Sequence, residues 1–513
     1  MSRDLARLHS AELEGIDAKL ITIEVDISVG LHSFSIVGLA DKAVSEAKER
    51  VNSALKNTGV RPPAQENKRI TVNLAPADVQ KAGSQYDLAI AVGYLVASGL
   101  SSANRLDDKI FLGELSLDGA LRPVRGVLNI AHMAKKQGVT ELILPEANAH
   151  EAAIVDGISV FPAKKLSEVL DHLEGRTPIK AVYRSSFRSL DQTPEIADMG
   201  DIKGQDSAKR ALLIAAAGGH NLLMVGPPGS GKTALAKAFA SILPPLTLEE
   251  SIETSKNWSA AGLLSSEEPY LVRRPFREPH HTASLASVVG GGTNPRPGEI
   301  SLAHRGVLFM DEFPEFHRDV LESLRQPLES GEMTVSRIRG NLVFPSRFQL
   351  VAAMNPCPCG FYGDPENECR CSSGEMFRYQ KKISGPLLDR IDIQITVPRV
   401  KIAELRQKNY SENSAPFRDK VSAARSLQME RHARLGINSL TTSELTSREC
   451  DDTMILESDA DDLLKKIFDR SPLSARGYYR LLKVSRTIAD LDMSDTIEGR
   501  HLAEAFQYRI RND

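Results

Sequence analysis

Eight residues, GPPGSGKT from Gly226 to Thr233, constrain this chain more than any other segment. They follow the apolar run NLLMV and precede ALAKAFASIL, which has helical spacing. A strand, a glycine-rich turn and a helix start in that order make a phosphate-binding loop. The glycines let backbone N–H groups turn inward, and the helix N-terminus adds partial positive charge. The expected nucleotide-binding residues are Gly226, Pro227, Pro228, Gly229, Ser230, Gly231, Lys232, Thr233 and Ala234. Lys232 is expected to bridge the β- and γ-phosphates of ATP, and Thr233 to place its hydroxyl on Mg²⁺.

The segments that follow fit this loop in order. GVLFMDEF is an apolar strand ending in two acids; Asp311 is expected to hold Mg²⁺ through water and Glu312 to polarise the attacking water. VAAMNP is a further small apolar strand, and its Asn355 suits the sensor position of AAA+ ATPases, between those acids and the γ-phosphate. SGPLLDRID places Arg390 before a strand-like IDIQITVP, where an arginine can reach a neighbouring subunit's γ-phosphate, which requires a ring. LSARGYYRLL puts Arg476 at a helix start, suited to contact phosphate from the same chain. The fold class expected is α/β, an AAA+ P-loop ATPase core with a helical lid.

At 513 residues and about 100–200 residues per domain, roughly three domains are expected. Residues 1–175 read as a first α/β domain and 176–200 as a polar linker; 201–399 read as the ATPase core and 400–513 as a helical lid. In the first domain, Leu20–Val29, Arg69–Leu74, Glu141–Pro145 and Ile158–Phe161 read as strands, Ala43–Asn57 and Asp87–Ser98 as helices. Lys and Arg (64) against Asp and Glu (67) give a net charge of −3, so any grip on nucleic acid must come from local basic loops. No membrane partner is expected: the most apolar run, Leu88–Ala97, is 10 residues, far short of the ~20 a bilayer requires. Asp4, Glu12, Glu14 and Asp17 exclude a secretory h-region. Together with the few cysteines, this makes the cytoplasm the expected compartment.

Four of the five cysteines, Cys357, Cys359, Cys369 and Cys371, lie in CPCGFYGDPENECRC. Four thiolates with turn-forming residues between the pairs can close a tetrahedral, structural Zn²⁺ site. The C-x-C spacing is tighter than the usual zinc knuckle, and redox-active or merely buried thiols are the other reading.

PFREPHHTASLASVVGGGTNPRPGEISLAHRGVLFMDEFPEF, LRQPLESGEMTVSRIRG, AAMNPCPCG and SGPLLDRID together resemble the YifB/ComM family of Mg-chelatase-like AAA+ ATPases. The resemblance extends over essentially the whole chain, including IKGQDSAKRALLIAAAGGHN before the loop. It implies a homo-hexameric, ATP-driven DNA motor, a branch-migration helicase of natural transformation and homologous recombination acting on single-stranded, forked or branched DNA. It also implies an insert in the second helix of the ATPase domain, around Arg277–Glu299, and a hairpin from Met333 to Phe344. Arg296 in the glycine-rich insert tip, with Arg337 and Arg339 in the hairpin, are the candidate DNA contacts; the other reading pairs them with acids of neighbouring subunits.

The first domain resembles the Lon-protease-like (ribosomal S5 domain 2-type) α/β fold, as in LGELSLDGALRPVRGVL. Aligning KAGSQYDLA and that stretch with the protease puts Gln85 at the serine nucleophile and Leu128 at the partner lysine, so the domain is expected to be non-proteolytic. An ATP-dependent protease is the alternative function, and a chelatase-type remodelling subunit the third.

Overall fold

The computed structural model describes residues 5–60, 62–65, 67–103, 105–183, 197–292, 295–337, 340–400, 412–470 and 474–509. The first domain is built on a seven-stranded mixed sheet. Its strands are β1 (Leu5–Glu14), β2 (Asp17–Val29), β3 (Ser33–Val37), β4 (Lys68–Ala75), β5 (Lys109–Phe111), β6 (Glu141–Pro145) and β7 (Ser159–Ala163). They lie in the order β3-β4-β2-β1-β5-β6-β7. β1 and β2 form one long antiparallel pair, from Leu5 opposite Asp26 to Glu14 opposite Asp17. Helices Ala47–Asn57 and Asp87–Ala97 cover one face, and helix Val127–Lys136 covers the other.

Two expectations change here. The single helix expected over Ala43–Asn57 is broken at Glu46 into Lys42–Ser45 and Ala47–Asn57, the first turn being capped by Asp41, which accepts from the Val44 amide. β1 was not expected from the sequence at all. Of the expected linker, residues 184–196 lie outside the described residues, while Met199 is already buried in the next core.

The second sheet has five strands, all parallel: β8 (Leu222–Val225), β9 (Phe276–Arg277), β10 (Val307–Met310), β11 (Gln349–Met354) and β12 (Ile393–Thr396), in the order β9-β10-β11-β8-β12. The inner strands β8 and β10, and β11 after Gln349, are apolar because both of their faces are covered. With period-two alternation, Leu222, Met224, Val307, Phe309, Val351 and Ala353 face one cluster; Leu223, Leu308, Met310, Leu350, Ala352 and Met354 face another. The first cluster also takes in Leu481, Leu482, Ile488 and Leu502 of the C-terminal helices, so the lid and the core share one apolar interior. Arg305 and Arg347 of the core both pair with Glu444 of the lid, at 3.0 and 3.1 Å.

The first domain docks on the same core. The Gly126 amide donates to the Ser259 carbonyl (3.0 Å), the Ser259 hydroxyl donates to buried Glu151, and Gly15 sits against Leu342 and Phe344 of the hairpin Glu332–Pro345. None of the helices among the described residues is long and apolar enough to cross a membrane.

Glu12, in β1, is buried and accepts from the Tyr86 hydroxyl, the Gln85 amide and the Ala82 backbone N–H. Burial pushes its carboxyl up to about 7, against the opposing pull of the Tyr86 hydrogen bond. A carboxyl raised on folding contributes stability below its unfolded value near 4.5 and loses it as pH climbs through 7. Glu12→Gln should therefore gain in Tm relative to the unaltered protein between pH 4.5 and pH 8. Parallel melting curves for the two proteins across that window would remove Glu12 from this role.

Candidate nucleotide site

Parallel strands end at one edge, and that edge of the second sheet gathers the candidate site. β8 runs into the loop Gly226–Gly231, and helix Lys232–Ser241 starts directly after it. The loop requires its glycines: Gly229 and Gly231 have φ of 76° and 90°, and a Cβ on Gly226 would lie 2.2 Å from the Val397 carbonyl. Pro227 and Ser230 are buried within the turn, Pro228 is exposed on its outer side, and Ala234 is exposed in the first turn of the helix. The Ser230 hydroxyl is buried with no hydrogen-bond partner among the described residues.

Lys232 lies under the loop. Its ammonium donates to the carbonyls of Gly226 (2.8 Å) and Pro227 (3.0 Å) and to Asn355 Oδ1 (3.3 Å). Burial lowers its pKa, and the Asp311 carboxylate opposes that shift. Asp311 leaves β10 and accepts from the Thr233 hydroxyl at 2.8 Å. A hydroxyl and a carboxylate this close offer hard oxygen donors to Mg²⁺, and the loop's backbone and Lys232 offer the complement of a polyphosphate. The residues fit ATP with Mg²⁺.

Glu312 follows Asp311 with φ of 51°, in the left-handed region, and its side chain pairs with His281 Nδ1 at 3.0 Å. His281 was not singled out from the sequence. It stands far back in the chain within PHHT, and only the pairing of β9 with β10 brings it to the acid. The His280 ring lies tilted against it, with ring centroids 4.2 Å apart.

The two arginines lie elsewhere. Asn221, just before β8, donates its side-chain amide to the Arg390 carbonyl (3.0 Å), which puts Arg390 at the amino edge of the sheet. Arg390 pairs with Glu329, and Arg476 pairs with the other oxygen of the same carboxylate at 2.7 Å. The two guanidinium groups hold the Glu329 carboxyl below its usual range, Arg390 through its hydrogen bond first. All three line a cleft of about 1340 Å³ at this edge. Four-residue strands separate the edges by roughly 13 Å, beyond the roughly 7 Å that an arginine side chain spans. Arg476, expected to contact phosphate from the same chain, stands here beside Arg390 on Glu329, at the edge opposite the phosphate loop. The lid helix Ala475–Leu491 crosses the amino edge, with Arg480 donating to the Ile391 carbonyl (3.2 Å) and Thr487 bonded to His220 (2.8 Å).

Of the other expected sites, Arg296 is exposed beside Gly291, its antiparallel partner in the insert. Arg337 closes the first hairpin strand, Glu332–Arg337, and Arg339 lies outside the described residues. Cys357, Cys359, Cys369 and Cys371 do converge, their sulfurs all within 4.8 Å of one another. In the first domain Gln85 contacts Glu12, Leu128 is fully buried, and the Ser84 hydroxyl donates to Glu114.

Models of the magnesium chelatase subunit ChlI match residues 198–405 and 23–148, and the model of its C-terminal part matches 411–509. The competence protein ComM of Haemophilus influenzae is 46% identical over 517 residues, covering 98% of this chain and 97% of its own. The uncharacterized protein YifB of Escherichia coli K12 is 43% identical over 514 residues, with the same coverage of 98% and 97%. A Lon protease of Azorhizobium caulinodans is 25% identical over 172 residues, 32% of this chain and 20% of the protease.

Glu312→Gln should keep ATP affinity near that of the unaltered chain and lower turnover by roughly 10²–10⁴-fold, the usual loss for a missing general base. His281→Ala should lower turnover less, because it removes a partner of the carboxylate and leaves the carboxylate in place. Nucleotide titration beside steady-state phosphate release separates the two; unchanged turnover for Glu312→Gln would take Glu312 out of the reaction.

Proposed function

The chain belongs to the YifB/ComM family of Mg-chelatase-like AAA+ ATPases, and from that premise we propose that it is an ATP-driven DNA motor. In this reading it works as a homo-hexamer in the cytoplasm, a branch-migration helicase on single-stranded, forked or branched DNA during homologous recombination and natural transformation. ATP and Mg²⁺ occupy the loop Gly226–Thr233 with Asp311, and Glu312 polarises the attacking water. The four cysteines hold a structural Zn²⁺.

The observation that carries the assembly is the shared carboxylate of Glu329. Arg390 and Arg476 stand together at the edge of the sheet opposite their own phosphate loop. A ring brings that edge against the next subunit's nucleotide, where a γ-phosphate replaces Glu329 as the anion for both arginines. Arg476 then serves the neighbour's site as Arg390 does, in place of its own.

The DNA reading rests on the insert and the hairpin. Arg296 is exposed on a glycine- and proline-rich tip, and Arg125 of the first domain lies close to it: burial first, and then the Arg296 charge, lowers the Arg125 pKa. Arg296, Arg337 and Arg339, with Arg125 added from the structure, repeat once per subunit in a ring. Cations so repeated give a sequence-independent, salt-dependent grip on phosphate. The fold of the first domain suggests a protease as well, but Ser84 donates to Glu114 and not to a lysine.

Mixing tests the assembly. Arg390→Ala or Glu312→Gln alone should be inactive, and a mixture should recover hydrolysis at interfaces that combine an intact Glu312 with an intact Arg390. Arg476→Ala mixed with Glu312→Gln should recover in the same way; no recovery despite subunit exchange would return Arg476 to its own chain's nucleotide. For the DNA function, forked DNA should raise ATP turnover and strand displacement should need ATP. Turnover indifferent to any DNA would sink the motor reading.

A further inference from the structure

The four-cysteine site does not stand apart from the nucleotide site. β11 ends at Met354, Asn355 follows, and Cys357 comes two residues later, fully buried. The Asn355 carboxamide accepts from Lys232. The turn continues to Gly360, whose amide donates to the Cys357 carbonyl at 3.0 Å. Gly360 has φ of 86°, and a Cβ there would lie 2.7 Å from Pro228 Cδ, in the phosphate loop itself. The cysteine loop is also tied to the end of β12, where Arg399 pairs with Glu366 (3.2 Å) and Asp364 (3.7 Å).

The donor set suits a metal. The sulfurs of Cys357, Cys359 and Cys369 are 3.4, 3.6 and 3.7 Å apart. Four thiolates at the ~2.3 Å Zn–S distance of a tetrahedral site are separated by about 3.8 Å. The Cys359 amide points at the Cys371 sulfur (3.4 Å). Backbone donors aimed at sulfur favour the thiolate form that a metal binds.

We infer that a tetrathiolate metal at Cys357, Cys359, Cys369 and Cys371 sets the shape of the phosphate loop, so that nucleotide affinity depends on whether the metal is present. This rests on the reading of the cluster as a Zn²⁺ site. Two contacts transmit the effect: Gly360 against Pro228, and Asn355 on Lys232. Without the metal, four thiols lose their common anchor and the segment from Asn355 to Gly360 is freed at both contacts. With it, the loop's outer face and its lysine are held in one arrangement before ATP arrives, which removes an ordering cost from binding. The site is near the surface, since only Cys357 of the four is buried, so a chelator can reach it.

The experiment uses the full chain, purified without chelators and with zinc in the growth medium. Metal per chain is measured by elemental analysis, and affinity by titration with a fluorescent ADP analogue. One zinc per chain is expected. Withdrawing it with a chelator should weaken ADP binding at least tenfold, and zinc added back should restore it. Cys357→Ser with Cys369→Ser should lose both metal and affinity. Gly360→Ala should keep the metal and still bind ADP more weakly, because its methyl group meets Pro228. Absence of metal from the unaltered protein overturns the zinc reading and this inference with it. A full complement of zinc, with ADP affinity unchanged by both chelation and Gly360→Ala, overturns the coupling and leaves the zinc site standing.

Discussion

The parallel pairing of β8 with β11 and β12 gives the ATPase core a direction on which its other features depend. All five strands point the same way, so one edge collects strand ends and the other strand starts. At the carboxyl edge lie the inward-facing loop, Lys232, Thr233, Asp311 and Asn355, the groups that suit a polyphosphate and its magnesium. At the amino edge lie Arg390 and Arg476 on Glu329. The ladder fixes the distance between the edges, and no rotamer change in a single chain closes it. In the proposed assembly these two edges are the two halves of one site, contributed by neighbouring copies of the chain.

What was legible in the sequence was local. The loop Gly226–Thr233 could be read because strand, glycines, lysine and helix are consecutive, and each follows from the demands of a bound phosphate. Asp311, Glu312 and Asn355 could be placed because each ends an apolar run that becomes a strand. The convergence of the cysteines was foreshadowed by their spacing, with turn residues between the pairs. Arg476 could not be placed, because its position depends on where the lid helix docks; that is decided by apolar contacts shared with the sheet and by Thr487 on His220. His281 escaped notice for a related reason, since its link to Glu312 exists only through sheet pairing. Among the elements, β1 was hidden by its own charges. Glu12 is buried in a strand whose other acid, Glu14, reads as surface, and its partners Tyr86 and Gln85 lie more than seventy residues downstream.

The buried carboxylates of the first domain bear on how the molecule works as a whole. Here Glu151, fully enclosed, accepts from Ser259 in a helix of the ATPase core and from the Leu128 amide in its own domain. Breaking that contact would leave a buried carboxyl short of a donor, at a cost of about 1–3 kcal/mol. Gly126 donates to the same serine's carbonyl, and a Cβ there would overlap Leu13. The helix these residues grip, Leu248–Ala261, is the one whose Asn257 side chain donates to the Pro345 carbonyl at the foot of the hairpin (2.9 Å). The first domain is therefore joined through one helix to the base of the hairpin, so a shift of that hairpin either carries the domain with it or breaks a hydrogen bond along this path, from Asn257 to Pro345 or from Ser259 to Glu151.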